Sequence, residues 1–243
     1  MTHRPWTNGT LVGFDLETTG LDREVEEPVS YAFITWDRGE LVDVEEGYVQ
    51  PTRAISEGAA AVHGLTEATL ASLGAVEHDE GMRAIERRLA KESAQHVPIV
   101  GANLAYDLTM VDRTLWRLAE PSSLASAHWC GPALDVLVID RALDQDFAAR
   151  PGRRLAELCE HYGVTTAMHT ASGDASAAVQ IVLAQAARFP ELAAATLDEL
   201  DARQRTWHRE WCDAFAARRV AKGQDRLDPG ESAWPYLERA TLF

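Results

Sequence analysis

The chain has 243 residues, of which 46% are hydrophobic and 25% charged, and its formal net charge is −15. This length and composition are typical of one soluble globular domain with room for an appendage, and no apolar run approaches the roughly 20 residues of a membrane helix. Such an excess of acidic side chains argues against a protein that coats nucleic acid through general electrostatics, but not against an enzyme that grips only a chain end.

Three strand-like segments come first and predict an antiparallel meander, because only a short turn separates the second from the third. Helices and two short strands follow, and the first of these strands lies in the segment VPIVGAN. Strands first, then strands alternating with helices, predict an α/β fold with a mixed sheet flanked by helices. The other predicted strands are Leu11–Leu16, Val29–Trp36, Leu41–Val49 and Ala133–Val136, and the predicted helices are Glu80–Lys91, Tyr106–Leu118, Leu134–Leu143, Leu155–Tyr162 and Ala175–Phe189.

The last part of the chain has a different pattern. After Pro190, a long helix over Thr196–Val220 carries large apolar side chains on one face, and an irregular tail follows. We therefore divide the chain into a domain of residues 1–190 and a C-terminal helix and tail of residues 191–243. Water should not be left in contact with three large aromatic side chains on that face, so we expect it to pack inside the same core or against a second copy. The aromatic residues are Trp207, Trp211 and Phe215.

Two features bear on the cellular compartment. The N-terminal segment MTHRPWTNGT lacks the apolar region of a signal peptide, so we expect a cytoplasmic protein. The three cysteines are an odd number at no metal-like spacing, which favours reduced thiols. They are Cys130, Cys159 and Cys212.

Two carboxylates stand at the end of the first predicted strand. Asp15 and Glu17 are separated by one residue, so their side chains share a face of the strand. Like charges this close repel each other, and a hard cation such as Mg²⁺ held between them would relieve the repulsion. The alternative is that the strand has simply ended and that both acids are solvated, as most acids are.

Two further acids and a histidine follow in the chain. Asp107 lies in the first turn of a helix just after a buried strand, in the segment GANLAYD, and Asp174 lies in the first turn of another helix, in HTASGD. The helix dipole favours a carboxylate in such a position. His169 precedes Asp174 by five residues. Asp112 and Asp135 are assigned no role.

The segments FDLETTGLD, NLAYD and HTASGD closely resemble, in this order, the three motifs of the DEDDh 3′–5′ exonucleases, a family that includes the proofreading epsilon subunit of bacterial DNA polymerase III and ribonuclease T. The segment VHGLT at Val62–Thr66 looks like the family's short His-Gly-Ile-Thr segment. The resemblance covers roughly Thr10–Phe189 and implies a ribonuclease H-like sheet of five strands. We find no convincing clamp-binding peptide of the kind that some proofreading subunits carry.

The resemblance also implies a chemistry. It implies hydrolysis of phosphodiester bonds from single-stranded 3′ ends, with two Mg²⁺ ions, or Mn²⁺ in their place, and with 5′-mononucleotides as products. Asp15 would be shared between the ions, and His169 would take a proton from the attacking water; histidine, with an unperturbed pKa of about 6.5, suits that task. The metal ligands would be Asp15, Glu17, Asp107 and Asp174. The candidate substrate contacts are Thr18, His63 and Tyr106, and Tyr106 and Trp129 are the candidates for stacking on bases.

Alternatives stay open at this point. The segment FDLETTG favours DNA as the substrate, yet an RNA-processing 3′–5′ exoribonuclease fits the same residues. A module of the same fold that has lost catalysis and binds nucleic acid or protein is a further alternative, which the intact set of motifs disfavours. A DNA polymerase or a second copy of the chain, contacted through the C-terminal helix, is the expected protein partner.

Overall fold

The structure is a computed structural model and describes residues 5–118, 131–144, 153–166, 169–225, 227 and 229–237. Five strands form one mixed sheet in the order β3-β2-β1-β4-β5. The first three make the predicted antiparallel meander, whereas β4 and β5 run parallel to β1. The strands are β1 Thr10–Thr18, β2 Pro28–Asp37, β3 Glu40–Tyr48, β4 Ile99–Gly101 and β5 Ala133–Asp135.

Helices cover both faces of this sheet, which confirms the predicted α/β architecture. They are α1 Glu57–His63, α2 Glu67–Ser72, α3 His78–Ala94, α4 Leu104–Arg117, α5 Val136–Leu143, α6 Leu155–Tyr162, α7 Ala171–Arg188, α8 Pro190–Ala194 and α9 Leu197–Ala221. The short helices α1 and α2 were not predicted. Their N-caps are strong, since Ser56 and Thr66 each accept a hydrogen bond from a backbone amide. Leu70 is the one buried side chain in the two, so no apolar periodicity marks them.

Side chains of β1 alternate between two apolar cores. Leu11 packs with α6 and α7 on one face of the sheet, and Phe14 packs with α3 and α4 on the other. The strand continues past the predicted end at Leu16 as far as Thr18, because its pairing with β2 extends to Pro28. Asp15 and Glu17 therefore lie within a strand of the sheet rather than after it.

The segment around Asp135 was predicted both as a strand and as the start of a helix. In the structure β5 ends at Asp135 and α5 begins at Val136, and the Asp135 carboxylate accepts hydrogen bonds from the backbone amides of Leu137 and Val138 as the N-cap. Asp135 is thus both the last residue of β5 and the N-cap of α5.

The long helix α9 packs against the same chain, on β5 and α5. Its buried residues include Leu200, Gln204 and Cys212, whereas the aromatic side chains of the predicted face are half-buried. The Gln204 amide accepts a hydrogen bond from the Asp135 backbone N–H and donates one to the Ala133 carbonyl, each at 2.8 Å. The Gln204 side chain thus binds backbone groups at the edge of β5 that a sixth strand would otherwise pair with. Division of the chain at residue 190, and a protein partner for α9, stay predictions.

The structure also bears on the cysteines and on membrane-spanning helices. Cys159 and Cys212 are buried free thiols, whereas Cys130 and Trp129 lie outside the described residues. In the part of the chain that the structure describes, no helix combines the length and the apolar character that crossing a membrane requires.

Candidate functional site

Three of the predicted acids come together at the C-terminal end of β1. Asp15 and Glu17 project from β1 on one face, and Asp174 projects from the first turn of α7, which covers that face. One carboxylate oxygen from each of the three lies within 4.8 Å of the others. Within the described ranges no lysine or arginine forms an ion pair with any of them, so their charges are left to repel one another.

Gly13 allows α7 to come close enough for this. A Cβ atom at Gly13 would lie 2.4 Å from the Ala175 carbonyl oxygen and 3.0 Å from Val179 Cγ2, so the helix rests directly on the strand backbone. Asp174 immediately precedes Ala175, and Asp15 lies two residues beyond Gly13 on the same face of β1. The absence of a side chain at Gly13 therefore allows Asp174 to lie close to Asp15.

We expect Gly13→Ala to separate α7 from β1 and to reduce hydrolysis far more than it reduces the free energy of unfolding. Overpacking of a well-packed site costs about 1–3 kcal/mol, whereas a misplacement of about 1 Å in a catalytic group can cost about 10²-fold in rate. Thermal melts and initial rates on a 5′-labelled oligonucleotide would measure the two effects.

Gly58→Ala is the matched control, because a Cβ at Gly58 meets no atom within 4 Å and the residue lies in helix α1. This variant should be neutral or slightly stabilising, since alanine is the better helix former. Gly13→Ala with wild-type rates would contradict the role given to the contact between strand and helix.

The fourth predicted acid, Asp107, is buried in the first turn of α4. It does not belong to the group of oxygens within 4.8 Å, but its charge acts on Asp15. Asp135 fixes the helix start beside it: the Asp135 carboxylate accepts hydrogen bonds from the backbone amides of Asn103, at 3.2 Å, and of Leu104, at 2.8 Å. Asn103 has a left-handed backbone with φ of 67°, a conformation that asparagine tolerates better than most residues.

Burial and mutual repulsion disfavour ionisation of the acids. Burial raises the pKa of Asp15 well above its ordinary value, and the charges of Asp107, Asp174 and Glu17 raise it further. Burial and the neighbouring Asp174 raise the pKa of Glu17 to about 7. The pKa of Asp174 is also raised by burial, which a hydrogen bond from the His169 backbone partly opposes. Oxygen ligands that resist ionisation without a cation fit a hard divalent ion, which would favour their charged forms.

A second acidic group provides a contrast. Asp140, Asp144 and His161 also offer ligand atoms within 4.8 Å of one another. Arg153 pairs with Asp140 at 3.2 Å, and Arg188 pairs with Asp144 at 3.2 Å. Because arginines already neutralise these carboxylates, the group does not need a metal ion. Its ion pairs instead link α5, α6 and α7.

The stability of the metal-free protein should fall as pH rises from about 4.5 to about 7. In this window the unfolded chain loses the Glu17 proton at the ordinary pKa of 4.5, while the folded protein retains it until about 7, so ionisation favours unfolding. Asp15 contributes in the same direction. Thermal melts across this range should show the decline, and Glu17→Gln should show less of it.

Added Mg²⁺ should reverse the trend, because metal binding needs deprotonated carboxylates and stabilises the folded state only. The rise in melting temperature on adding Mg²⁺ should therefore be larger at pH 8 than at pH 5. An equal rise in melting temperature at pH 5 and pH 8, or the same rise in Glu17→Gln, would contradict the assignment of Glu17 as a metal ligand.

His169 lies at the entrance to the acidic cluster. Its backbone N–H donates to Asp174 at 3.3 Å, and its side chain is exposed. The residue has a left-handed backbone, with φ of 63°, immediately before Thr170, the N-cap of α7. Residues held in this sparsely populated region often lie at functional sites. The fold therefore holds His169 beside Asp174 although its side chain has no packing role.

The three candidate substrate contacts are linked by hydrogen bonds. Thr18 Oγ1 and Tyr106 Oη both donate to the Gly20 carbonyl, each at 2.8 Å. His63 Nδ1 accepts from the Leu65 backbone amide, so its Nε2–H donates to the Thr18 carbonyl at 3.2 Å. Burial lowers the pKa of His63, in keeping with a neutral ring. Because both ring nitrogens are engaged with the backbone, His63 positions Thr18 and can offer a ligand only its ring surface.

A cleft adjoins the acids. Glu17, His63 and His169 line it together with Tyr31 and Tyr48 from the sheet. The two tyrosines were not predicted as part of the site. Tyr48 lies opposite Ser30, which pairs with Glu17, so its place depends on strand register, which spacing along the chain does not reveal. Tyr31 pairs with Leu16 and packs with Phe14 on the other face of the sheet.

The chain is similar in sequence and in fold to several known proteins. Residues 12–182 match the family described as exonuclease (RNase_T). A DNA polymerase III subunit epsilon-like protein of Rhodobacter capsulatus is 31% identical over 180 residues, which are 72% of this chain and 23% of that protein. A PolC-type DNA polymerase III of Thermotoga petrophila is 28% identical over 138 residues, which are 56% of this chain and 9% of that protein.

Among solved structures, Exonuclease I of E. coli in complex with a dT13 oligonucleotide has a TM-score of 0.62 and 20% identity, over 76% of this chain and 42% of that one. Exonuclease I of Methylocaldum szegediense has a TM-score of 0.64 and 20% identity, over 83% of this chain and 45% of that one. At such identity the likeness shows the fold alone. The chain spans less than a quarter of the length of the two curated relatives and less than half of each solved chain.

Proposed function

Because the chain belongs to the exonuclease family, we propose that it is a divalent-metal-dependent 3′–5′ exonuclease. Its substrate would be the 3′ end of single-stranded nucleic acid, DNA in preference to RNA, and its products would be 5′-mononucleotides. The observation that carries the proposal is the gathering of Asp15, Glu17 and Asp174 with their oxygens within 4.8 Å, next to the exposed side chain of His169.

We assign the metal ligands to four carboxylates, those of Asp15, Glu17, Asp107 and Asp174. The charges of all three others act on Asp15, so we assign Asp15 as the ligand shared between two ions. Two Mg²⁺ ions, or Mn²⁺ in their place, would stabilise the attacking and the leaving oxygens of an in-line displacement. The leaving oxygen is the 3′ oxygen of the penultimate nucleotide.

We assign the general base to His169. In the neutral form its imidazole accepts the proton of the attacking water, and its exposed position beside Asp174 gives the ring access to water. The hydrogen bond of its backbone to Asp174 holds the loop in place. We place Thr18 at the terminal sugar, because it follows Glu17 directly and its neighbours fix its side chain and its carbonyl.

One assay tests the proposal: the purified protein with Mg²⁺ or Mn²⁺ and with 5′-labelled single-stranded DNA and RNA of the same sequence. We expect a ladder that shortens from the 3′ end and a faster reaction on DNA. A faster reaction on RNA would support the exoribonuclease instead. Binding of either strand with no cleavage would support a module that has lost catalysis.

One of the two curated relatives is a DNA polymerase III subunit epsilon-like protein and the other is a PolC-type DNA polymerase III, which supports a DNA polymerase as a partner of this chain. The size-exclusion elution of the protein mixed with a bacterial replicative polymerase subunit would test this part. Co-elution at micromolar concentrations would support the partnership, and separate elution of the two proteins would contradict it.

A further inference from the structure

A second cleft lies between the start of α4 and the C-terminal helix α9. Asn103 and Tyr106 line one side of it, and Arg141, Trp211 and Phe215 line the other. Tyr106 immediately precedes Asp107, and its hydroxyl reaches Gly20 and Thr18. The cleft therefore shares a wall with the proposed active site.

Arg141 presents its guanidinium to this cleft and has no carboxylate partner among the residues that the structure describes. Two other arginines are paired: Arg23, which also lines the cleft, contacts Glu231, and Arg153, which precedes α6, contacts Asp140. Arg141 forms no ion pair with any acid in the described part of the chain, although burial lowers its pKa, and it stacks on the Trp211 ring with 4.0 Å between the guanidinium carbon and the ring centroid. A stacked guanidinium keeps the N–H groups at its edge free for an anion.

The aromatic rings themselves are already covered. Trp211 stacks on Phe215 with 5.0 Å between ring centroids and 9° between their planes, and Arg218 lies over Phe215. A nucleobase therefore has no free face of Trp211 on which to stack. The group that this side of the cleft can recognise is the anion that pairs with Arg141.

We propose that this cleft binds a backbone phosphate of the single-stranded substrate, upstream of the scissile bond, with Arg141 as its main contact. The inference rests on the proposed function for its substrate class. Charge supports the choice of occupant, because a chain with a net charge of −15 repels nucleic acid and needs a local cation to hold the strand. Arg141 lies in α5 and the stacked aromatic rings lie in α9, and α9 lies wholly beyond residues 12–182, which match the exonuclease family.

Binding of 5′-labelled dT12 in EDTA, measured against salt, tests the inference without requiring catalysis. Arg141→Gln should weaken binding about 10-fold, and the slope of log Kd against log[salt] should fall by about 0.7, the value for one phosphate contact on a single strand. Arg141→Lys should keep the slope and lose part of the affinity, because the charge remains and the planar fork does not.

Arg209→Gln is the control, since Arg209 lies on the exposed face of α9 and the substitution changes the charge equally. Equal binding by Arg141→Gln and Arg209→Gln would overturn the inference. Thermal melts would establish that each variant is folded.

Hydrolysis separates this inference from the proposed function. On dT12 with Mg²⁺, Arg141→Gln should raise KM about 10-fold, whereas its rate on the p-nitrophenyl ester of thymidine 5′-monophosphate should stay within about twofold of wild type, because that substrate has no upstream phosphate. If wild type cleaves neither substrate, the proposed function fails, and the binding measurement still decides the role of the cleft. An equal loss on both substrates would overturn the inference.

Discussion

Asp15→Ala should abolish hydrolysis and, at the same time, raise the melting temperature of the metal-free protein. The rate should fall at least about 10³-fold, because the variant lacks the carboxylate on which the other three acids converge. The gain in stability follows from relieving repulsion, since Asp15 is partly buried among Asp107, Asp174 and Glu17. Initial rates at saturating Mg²⁺ and thermal melts in EDTA would measure both effects.

Asp43→Ala is the control for this experiment. Asp43 is an exposed acid of β3, so its removal changes the net charge equally and leaves the acidic cluster intact. It should keep wild-type activity and the wild-type rise in melting temperature on adding Mg²⁺, whereas Asp15→Ala should lose that rise. Activity retained by Asp15→Ala at saturating Mg²⁺ would show that the metal ligands are assigned wrongly.

His169→Ala should reduce the single-turnover rate about 10²- to 10⁴-fold, the usual cost of losing a general base. It should bind Mn²⁺ with nearly wild-type affinity in calorimetry, because the four carboxylates remain. The acid limb of the pH–rate profile should also disappear when the profile is measured at saturating metal, where the carboxylates stay ionised. A variant that keeps more than about a tenth of the wild-type rate would contradict the catalytic role.

Backbone strain must be separated from catalysis in this variant. Alanine is unfavourable at the left-handed φ of 63° at His169, whereas asparagine tolerates such an angle, so His169→Asn should be inactive yet as stable as wild type. His96→Ala is the second control, because His96 is also exposed and has a left-handed φ of 54°, outside the site. It should lose a little stability and no activity.

The acids of the site could be predicted because the signals that mark them involve only residues close together in the sequence. An Asp and a Glu two positions apart in a strand share a face whatever the rest of the fold does, and an acid in a first helical turn is favoured locally. The order of the segments around Asp15, Asp107 and Asp174 then indicated a family. Their meeting in space still depends on Gly13, whose importance shows only when α7 is seen resting on β1.

Other parts of the site depend on contacts between segments far apart in the chain. Asp135 was assigned no role, yet it holds the start of α4 through hydrogen bonds to backbone groups 31 and 32 residues away. The aromatic face of α9 was predicted to need an apolar cover, but part of its cover is the cation Arg141. Apolar periodicity shows which residues share a face of a helix, but it does not show which chemical group will pack against that face.

The hydrogen bonds of Gln204 have a consequence for synthesis of the protein. Gln204 lies 69 residues after Asp135, whose backbone it pairs with, so the ribosome makes the edge strand β5 well before it makes the side chain that closes that edge. At about 5–20 residues per second, the interval is roughly 3–14 s. During that time the unpaired edge is open to pairing with other nascent chains, and slower translation of residues 136–204 should increase aggregation of the newly made protein.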